Sequence, residues 1–282
     1  MDEIKTRLEK KDMTTINDLE DIEFITYKKD FLNTHKTTIF NSLSYIEISK
    51  LNQTILGRWM YPVVSFAKDD IKFWIATTLK YGQRNVFVPL NFYTLTETIL
   101  SLDIKVGGLF RVRNSMATVK ECVNMLEEGI YNRVSFKEIR DNLAENFNVI
   151  DLTTAFKEVL RSYKQTVIPE SFLPIILKFS KLEDKNERLS LYHYLYLSLP
   201  KYNRHLLEAT IYFLYLVHDI ATNDGKDYTT NMDMEGISTV MMPNILLKNN
   251  NEVNLEEVSI LVEFMKEFIL NFSVIVQKNT LL

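Results

Sequence analysis

Arg111 sits where a guanidinium could do chemistry, within Gly107-Gly108-Leu109-Phe110-Arg111-Val112-Arg113-Asn114-Ser115. The glycine pair permits a tight backbone path, and Leu109 and Phe110 can pin the segment to a core. Asn114 and Ser115 can cap a helix that begins near Met116; Thr118 with Glu121 offers a second start one turn later. A guanidinium held in this way can dock without losing orientation, as a catalytic or binding arginine must. An ordinary turn carrying a solvated arginine fits the same residues. A second group is Lys157 and Arg161, four residues apart and so on one side of a helix, beside the Phe156/Leu160 face. The pair suits an acidic or nucleotide-bound partner; solvation or pairing with Glu158 is the plainer alternative. A third is Pro243-Asn244, where the proline can end a helix and the amide can brace a loop or bridge to a partner. Turn chemistry alone would also account for it.

Composition narrows the classes. Of 282 residues, 17 are Phe and 14 Tyr, against only seven Gly and six Pro, which favours a large core over linkers. The formal net charge of −4 carries no global signal for nucleic acid. A single cysteine, Cys122, excludes an intrachain disulfide and a cysteine-cluster metal site, and its helical context makes it a core residue rather than a nucleophile. With no secretory pattern and no 18-residue apolar run, the expectation is a cytoplasmic protein without a transmembrane segment.

The elements that must position these groups are nearly all helical. Residues 1–14 read as a mobile leader. Apolar spacing from Thr15 to about Ile55 predicts one or two long helices, with a loosely defined start at Asn41 or Ser42. Gly57 to Pro62 reads as a break carrying Trp59 and Tyr61, followed by a helical pattern through Phe66, Phe73, Trp74, Ile75 and Leu79 that Gly82 stops. Val86 to Leu90 is extended, and Pro89 argues for irregular packing against helices rather than a central strand. Helical patterns then run from Phe92 to Leu100, from Met116 to Gly129, through Phe136–Phe147, and from a cap at Asp151 or Thr153. Others follow Pro169, span Leu189–Leu199 and start from a cap at Asn203. A loop is expected at Asn223-Asp224-Gly225, a break at Met242-Pro243-Asn244, and a last helical stretch from Leu255 to Val276. The fold class is all-α: a helical bundle over residues 81–282 with an additional helical N-terminal region, 1–80.

In combination these segments resemble the Rho GTPase-activating domain (RhoGAP) family, from Val88-Pro89-Leu90 to about Leu247. Gly108-Leu109-Phe110-Arg111-Val112-Arg113-Asn114 matches the family's Gly-Ile-Phe-Arg-X-Ser-Gly loop, and Phe156-Lys157-Glu158-Val159-Leu160-Arg161 its lysine- and arginine-bearing helix. Leu199-Pro200-Lys201-Tyr202-Asn203-Arg204 and Val240-Met241-Met242-Pro243-Asn244-Ile245-Leu246 match two later motifs.

The resemblance implies a protein that binds the GTP state of a Rho/Rac/Cdc42-like small GTPase and accelerates hydrolysis, with Arg111 as an arginine finger. Such a finger is worth about three to five powers of ten in rate, or roughly 4–7 kcal/mol of barrier. Lys157, Arg161 and Asn244 would bind the GTPase and support the finger; Gly108, Phe110, Asn114 and Pro243 would shape the loops. No metal or cofactor is expected in this chain, since the GTPase carries GTP and Mg. Recruitment to membranes would come through that GTPase, and residues 15–80 are open to a further protein partner. Four departures bear on activity: Arg113 and Asn114 in place of Ser-Gly, Gly236 in place of an asparagine, Met242 in place of a glycine, and Lys164-Gln165-Thr166 in place of a proline-rich turn. The alternative is a RhoGAP-like GTPase-binding or adaptor module with little activating power.

Overall fold

The longest buried faces along the chain are helical. In this computed structural model they assemble into a bundle around one helix that is enclosed beyond its exposed first turn; residues 15–56, 74–79, 85–222, 233–248 and 253–278 are described. That enclosed helix is Lys185–Ser198, whose residues from Leu189 to Ser198 are all buried. Its Tyr192-His193-Tyr194-Leu195-Tyr196 run shows no amphipathic period because it has no solvent face. Asp184 caps it, accepting from the Glu187 amide at 2.8 Å.

Numbered in chain order, the described residues of the N-terminal region form three α-helices rather than the one or two long ones expected: α1 (Asp21–Thr34), α2 (Lys36–Ser42) and α3 (Tyr45–Leu56). The expected restart at Asn41 or Ser42 falls instead at Ser44, whose side chain and amide both bond the Glu47 carboxylate. The leader 1–14, the 57–73 segment with Trp59 and Tyr61, and the 223–225 loop lie outside the described residues.

Two strands follow, β1 (Trp74–Thr78) and β2 (Asn85–Pro89), paired antiparallel from Trp74 opposite Pro89 to Thr78 opposite Asn85. The helical reading of Trp74–Leu79 and the irregular packing expected for Val86–Leu90 are therefore corrected. A two-stranded ribbon has no central strand, so Pro89, at its end, breaks no ladder. Val86 and Val88 face the core while Asn85 and Phe87 stay exposed. On the ribbon's other side the Phe87 amide donates to Nδ1 of His205 at 2.9 Å.

The helices that carry the matched motifs are α4 (Leu90–Ser101), α5 (Met116–Tyr131), α6 (Phe136–Asn146) and α7 (Val149–Ser162), then α8 (Leu173–Phe179) and α9, the enclosed helix. They continue with α10 (Lys201–Thr222), α11 (Met234–Leu246), α12 (Leu255–Leu270) and α13 (Phe272–Val276). Helix α7 packs against α4, α5 and α11, while α9 lies against α1, α3 and α13. Two caps differ from expectation. Helix α7 starts at Asn148, whose side chain accepts from Ile150 and Asp151 amides while Asp151 accepts from the Asn148 amide; Asp151 closes a capping box instead of opening the helix. Asn203 lies buried inside α10, donating to the Val167 carbonyl at 3.0 Å. Nor does Gly129 end α5. It lets α6 approach, since a Cβ there would sit 2.9 Å from Ile139.

Polar groups inside the bundle join the N-terminal region to the rest. Asn17 donates to the Tyr196 hydroxyl at 3.0 Å and to the Glu208 carboxylate, and its carbonyl accepts from Arg204 Nε at 2.8 Å. Arg204 also stacks its guanidinium 4.1 Å over Phe24. His193 places Nδ1 against the Ile275 carbonyl, which requires hydrogen on Nδ1, and Nε2 against the Tyr27 hydroxyl at 3.1 Å, which can donate to it when the ring is neutral. Burial pushes its pKa down to about 4, against the opposing pull of that carbonyl.

Two measurements test this arrangement. Asn17→Ala removes one hydrogen-bond partner from each of buried Glu208 and Arg204, which keep the Tyr196 hydroxyl and the Leu199 carbonyl, so it costs about 2 kcal/mol in chemical denaturation. Lys201→Ala, which removes an exposed pair with Asp21, costs less than about 0.5 kcal/mol. Equal costs would remove Asn17 from any central role. The folded His193 pKa lies below the unfolded 6.5, so below pH 6.5 the unfolded state binds the proton and the folded state does not. Stability therefore falls as pH drops from 6.5 towards 5, and His193→Gln flattens that slope; an unchanged slope would contradict a buried neutral imidazole.

Candidate functional site

The loop between α4 and α5 turns on Gly108, whose φ of +79° favours glycine. Its carbonyl accepts two successive amides, Arg111 at 2.9 Å and Val112 at 2.8 Å. A Cβ at Gly108 would lie 2.4 Å from Val112 Cγ2, so both backbone angle and space require glycine. Phe110 also has a left-handed φ, +62°, which costs a bulky residue on the order of 1–3 kcal/mol. Its ring is fully buried, edge-on to Phe156 at 6.3 Å and Phe213 at 6.2 Å. Sequence pattern placed this ring in the core but could not reveal the strained backbone.

Lys157 secures that backbone. The residue is buried, and its ammonium donates to the Phe110 carbonyl, the last acceptor before Arg111. It therefore does not share an accessible helix edge with Arg161: Lys157 points into the loop, while Arg161, one turn later, is exposed. Burial, aided by the nearby guanidiniums of Arg113 and Arg161, pushes the Lys157 pKa down to about 8, so the amine is still mainly protonated at pH 7. Arg111, Val112 and Arg113 all emerge into solvent, as does Met116, the first residue of α5.

The loop's exit has its own anchors. Ser115 caps α5 by accepting from the Ala117 amide at 3.2 Å. Asn114 donates from Nδ2 to Oδ1 of buried Asp151 at 2.6 Å. Sequence alone suggests Asp151 only as a helix cap; the Asn148-X-X-Asp151 spacing signals the capping box, but nothing local signals a bond 37 residues back.

At the other end of α7, Lys248 donates to the carbonyls of Arg161, at 3.2 Å, and Tyr163. A cation there also complements the helix C-terminus. The Ile168 amide bonds the Ile245 carbonyl at 3.1 Å, tying the turn after α7 to the end of α11. Lys248 was not anticipated, because its reach to α7 depends on the tertiary packing of α11.

Asn244 does not occupy the expected break. Helix α11 continues through Pro243 to Leu246. So near the end the proline forfeits one amide bond, and burial of Met241, Met242, Ile245 and Leu246 keeps the helix intact. Asn244 is 2% exposed, donates to the Val240 carbonyl at 2.7 Å and leaves Oδ1 buried without a hydrogen bond. Met242 fills core space and the Gly236 amide donates to Asp233 at 2.7 Å, so both departures are absorbed into α11 itself. The structure thus brings the exposed Arg113 and Arg161 near buried Lys157, which bonds the residue preceding exposed Arg111, while Asn244 is buried within α11.

Comparison with known proteins agrees with this architecture. Among curated relatives, the Rho-GTPase-activating protein LRG1 of Saccharomyces cerevisiae is 24% identical over 66% of this chain and 18% of its own length. Rho-type GTPase-activating protein 1 of Schizosaccharomyces pombe is 28% identical over 59% of this chain and 14% of its own. Human Rho GTPase-activating protein 40 is 27% identical over 57% and 22%. The chain thus spans less than a quarter of the length of these relatives. The crystal structure of the BH domain from GRAF, a GTPase regulator associated with focal adhesion kinase, matches with a TM-score of 0.54 at 19% identity, covering 66% of this chain and 92% of that one. Human Rho GTPase activating protein 15 matches with a TM-score of 0.56 at 20% identity, over 66% and 83%. The RhoGAP domain model matches residues 89–250, more than half of the protein and all of the loop-bearing helices, and the chain belongs to the RhoGAP domain family.

Proposed function

We propose that this protein binds the GTP state of a Rho-family small GTPase and accelerates hydrolysis by inserting Arg111 beside the transferring phosphoryl group. The carrying observation is the exposed Arg111 side chain on a backbone that Lys157 holds at the preceding carbonyl. The GTPase would bring GTP, Mg and the group that orients water; this chain would contribute directed charge. Developing negative charge on phosphate oxygens meets a planar guanidinium already oriented, so little reorganisation accompanies the step. Arg113 and Arg161 supply long-range attraction for an acidic partner surface, and exposed Val112 and Met116, on the loop and at the start of α5, supply apolar contact. Lys157, being buried, acts through the loop rather than on the partner.

A second reading, a GTPase-binding module with little acceleration, is favoured by the burial of Asn244, which bonds its own helix rather than facing a partner. A partner of the 15–80 region would meet exposed Ile22, Tyr45 and Ile46 among the described residues. Among those residues no helix is long and apolar enough to cross a membrane.

Single-turnover hydrolysis by GTP-loaded Rho-, Rac- and Cdc42-type proteins, at saturating activator, separates the readings. Wild type accelerates at least one; Arg111→Ala loses about 10³-fold or more while retaining binding, and Arg111→Lys recovers little. Acceleration of none selects the binding module for that panel, and undiminished acceleration by Arg111→Ala removes the finger. Lys157→Met also slows hydrolysis. The ratio of wild-type to Lys157→Met rates narrows as pH rises through about 8, because the wild-type ammonium then loses its proton. A ratio constant from pH 7 to 9 would contradict the charged-lysine clamp.

A further inference from the structure

Between Phe110 and Asn114 the loop carries three consecutive exposed residues, Arg111, Val112 and Arg113, and each flank has one buried charged anchor. Upstream it is Lys157 on the Phe110 carbonyl. Downstream it is Asp151, and we infer that Asp151, acting through Asn114, is a positioning residue for Arg111. The inference rests on the proposed GTPase-activating reading and extends it to an acidic residue.

The chemistry of Asp151 suits this role. Its two carboxylate oxygens are used separately: Oδ2 accepts from the Asn148 amide at 3.2 Å, closing the capping box of α7, and Oδ1 accepts from Asn114 Nδ2 at 2.6 Å. Its side chain is buried at the first turn of α7, the helix that two turns later carries Lys157. Both flanks of the Arg111 segment are thereby referred to one rigid element, so the loop is fixed against α7 at two points rather than one. The Gly108 carbonyl already holds the Arg111 and Val112 amides at the entry of the loop, and the Asn114–Asp151 bond adds a side-chain restraint at its exit. Asn114 stands where the resemblance leads one to expect a small residue after serine. The side-chain bond to Asp151 provides a constraint that a backbone turn alone does not.

The bond can be tested apart from α7 stability. Asn114→Ala removes the tie but leaves the Asn148–Asp151 box complete. At saturating activator it slows single-turnover GTP hydrolysis by about ten- to a hundredfold, with affinity for the GTP-loaded partner changed by less than about threefold. Asn114→Asp alone, which sets two carboxylates against each other, is slower still. Combined with Asp151→Asn it recovers most of the rate, because the new amide can donate to the new carboxylate while its oxygen still accepts from the Asn148 amide. Hydrogen–deuterium exchange provides a readout independent of any GTPase: Asn114→Ala speeds exchange at residues 111–113 and leaves α7 unchanged. Wild-type rate in Asn114→Ala, equal losses of rate and affinity, or no recovery in the exchanged pair overturns the inference while leaving Arg111 as the finger. If wild type activates no GTPase, the parent reading fails, and unaltered exchange at residues 111–113 in Asn114→Ala overturns the positioning role as well.

Discussion

A protonated amine inside the protein, bonded to the carbonyl of a residue in a left-handed conformation, is the constraint on which this site depends. Phe110 pays for neither its backbone angle nor its position alone; its ring lies among Phe156 and Phe213, and Lys157 takes up its carbonyl. Each part needs the other. Without the aromatic core the left-handed angle would relax. Without the carbonyl, the buried ammonium would lack its partner, at a cost of several kcal/mol. The exposed Arg111 inherits its orientation from this interlocked pair, so surface chemistry is determined one layer beneath the surface.

The same logic extends to the far side of the bundle. From Leu189 onward helix α9 has no solvent face, and its tyrosines and His193 carry polar atoms that need partners. Several of those partners come from residues before α4: Asn17 for Tyr196 and Tyr27 for His193. An isolated bridge between Thr15 and Gln277 brings the two ends of the described chain together. The N-terminal helices are thus packed into the polar interior of the bundle behind the RhoGAP motifs.

Much of the site was legible because local chemistry is written locally. Gly108 and its turn, the Ser115 cap, and the buried faces of α5 and α7 all follow from spacing and residue type. The misread features depend on distant partners. Trp74–Leu79 has helical spacing over a few residues, but a strand opposite it decides the outcome. Lys157 and Arg161 look equivalent on a helical wheel, and only the arrival of Phe110 buries one and leaves the other in water. Pro243 is a helix breaker by propensity, yet the apolar residues beside it are held strongly enough to carry α11 through it. Asn203, likewise, is drawn from a capping role by the carbonyls of Thr166 and Val167.

The lone cysteine has a practical meaning that its inertness conceals. Cys122 lies in α5, wholly buried, and burial together with the Asp151 carboxylate pushes its thiol up to about 12. In the closed structure it offers neither thiolate nor access, so a thiol reagent reacts only when α5 opens. Labelling at this one sulfur therefore times the opening of the helix that leaves the Arg111 loop, without any engineered probe.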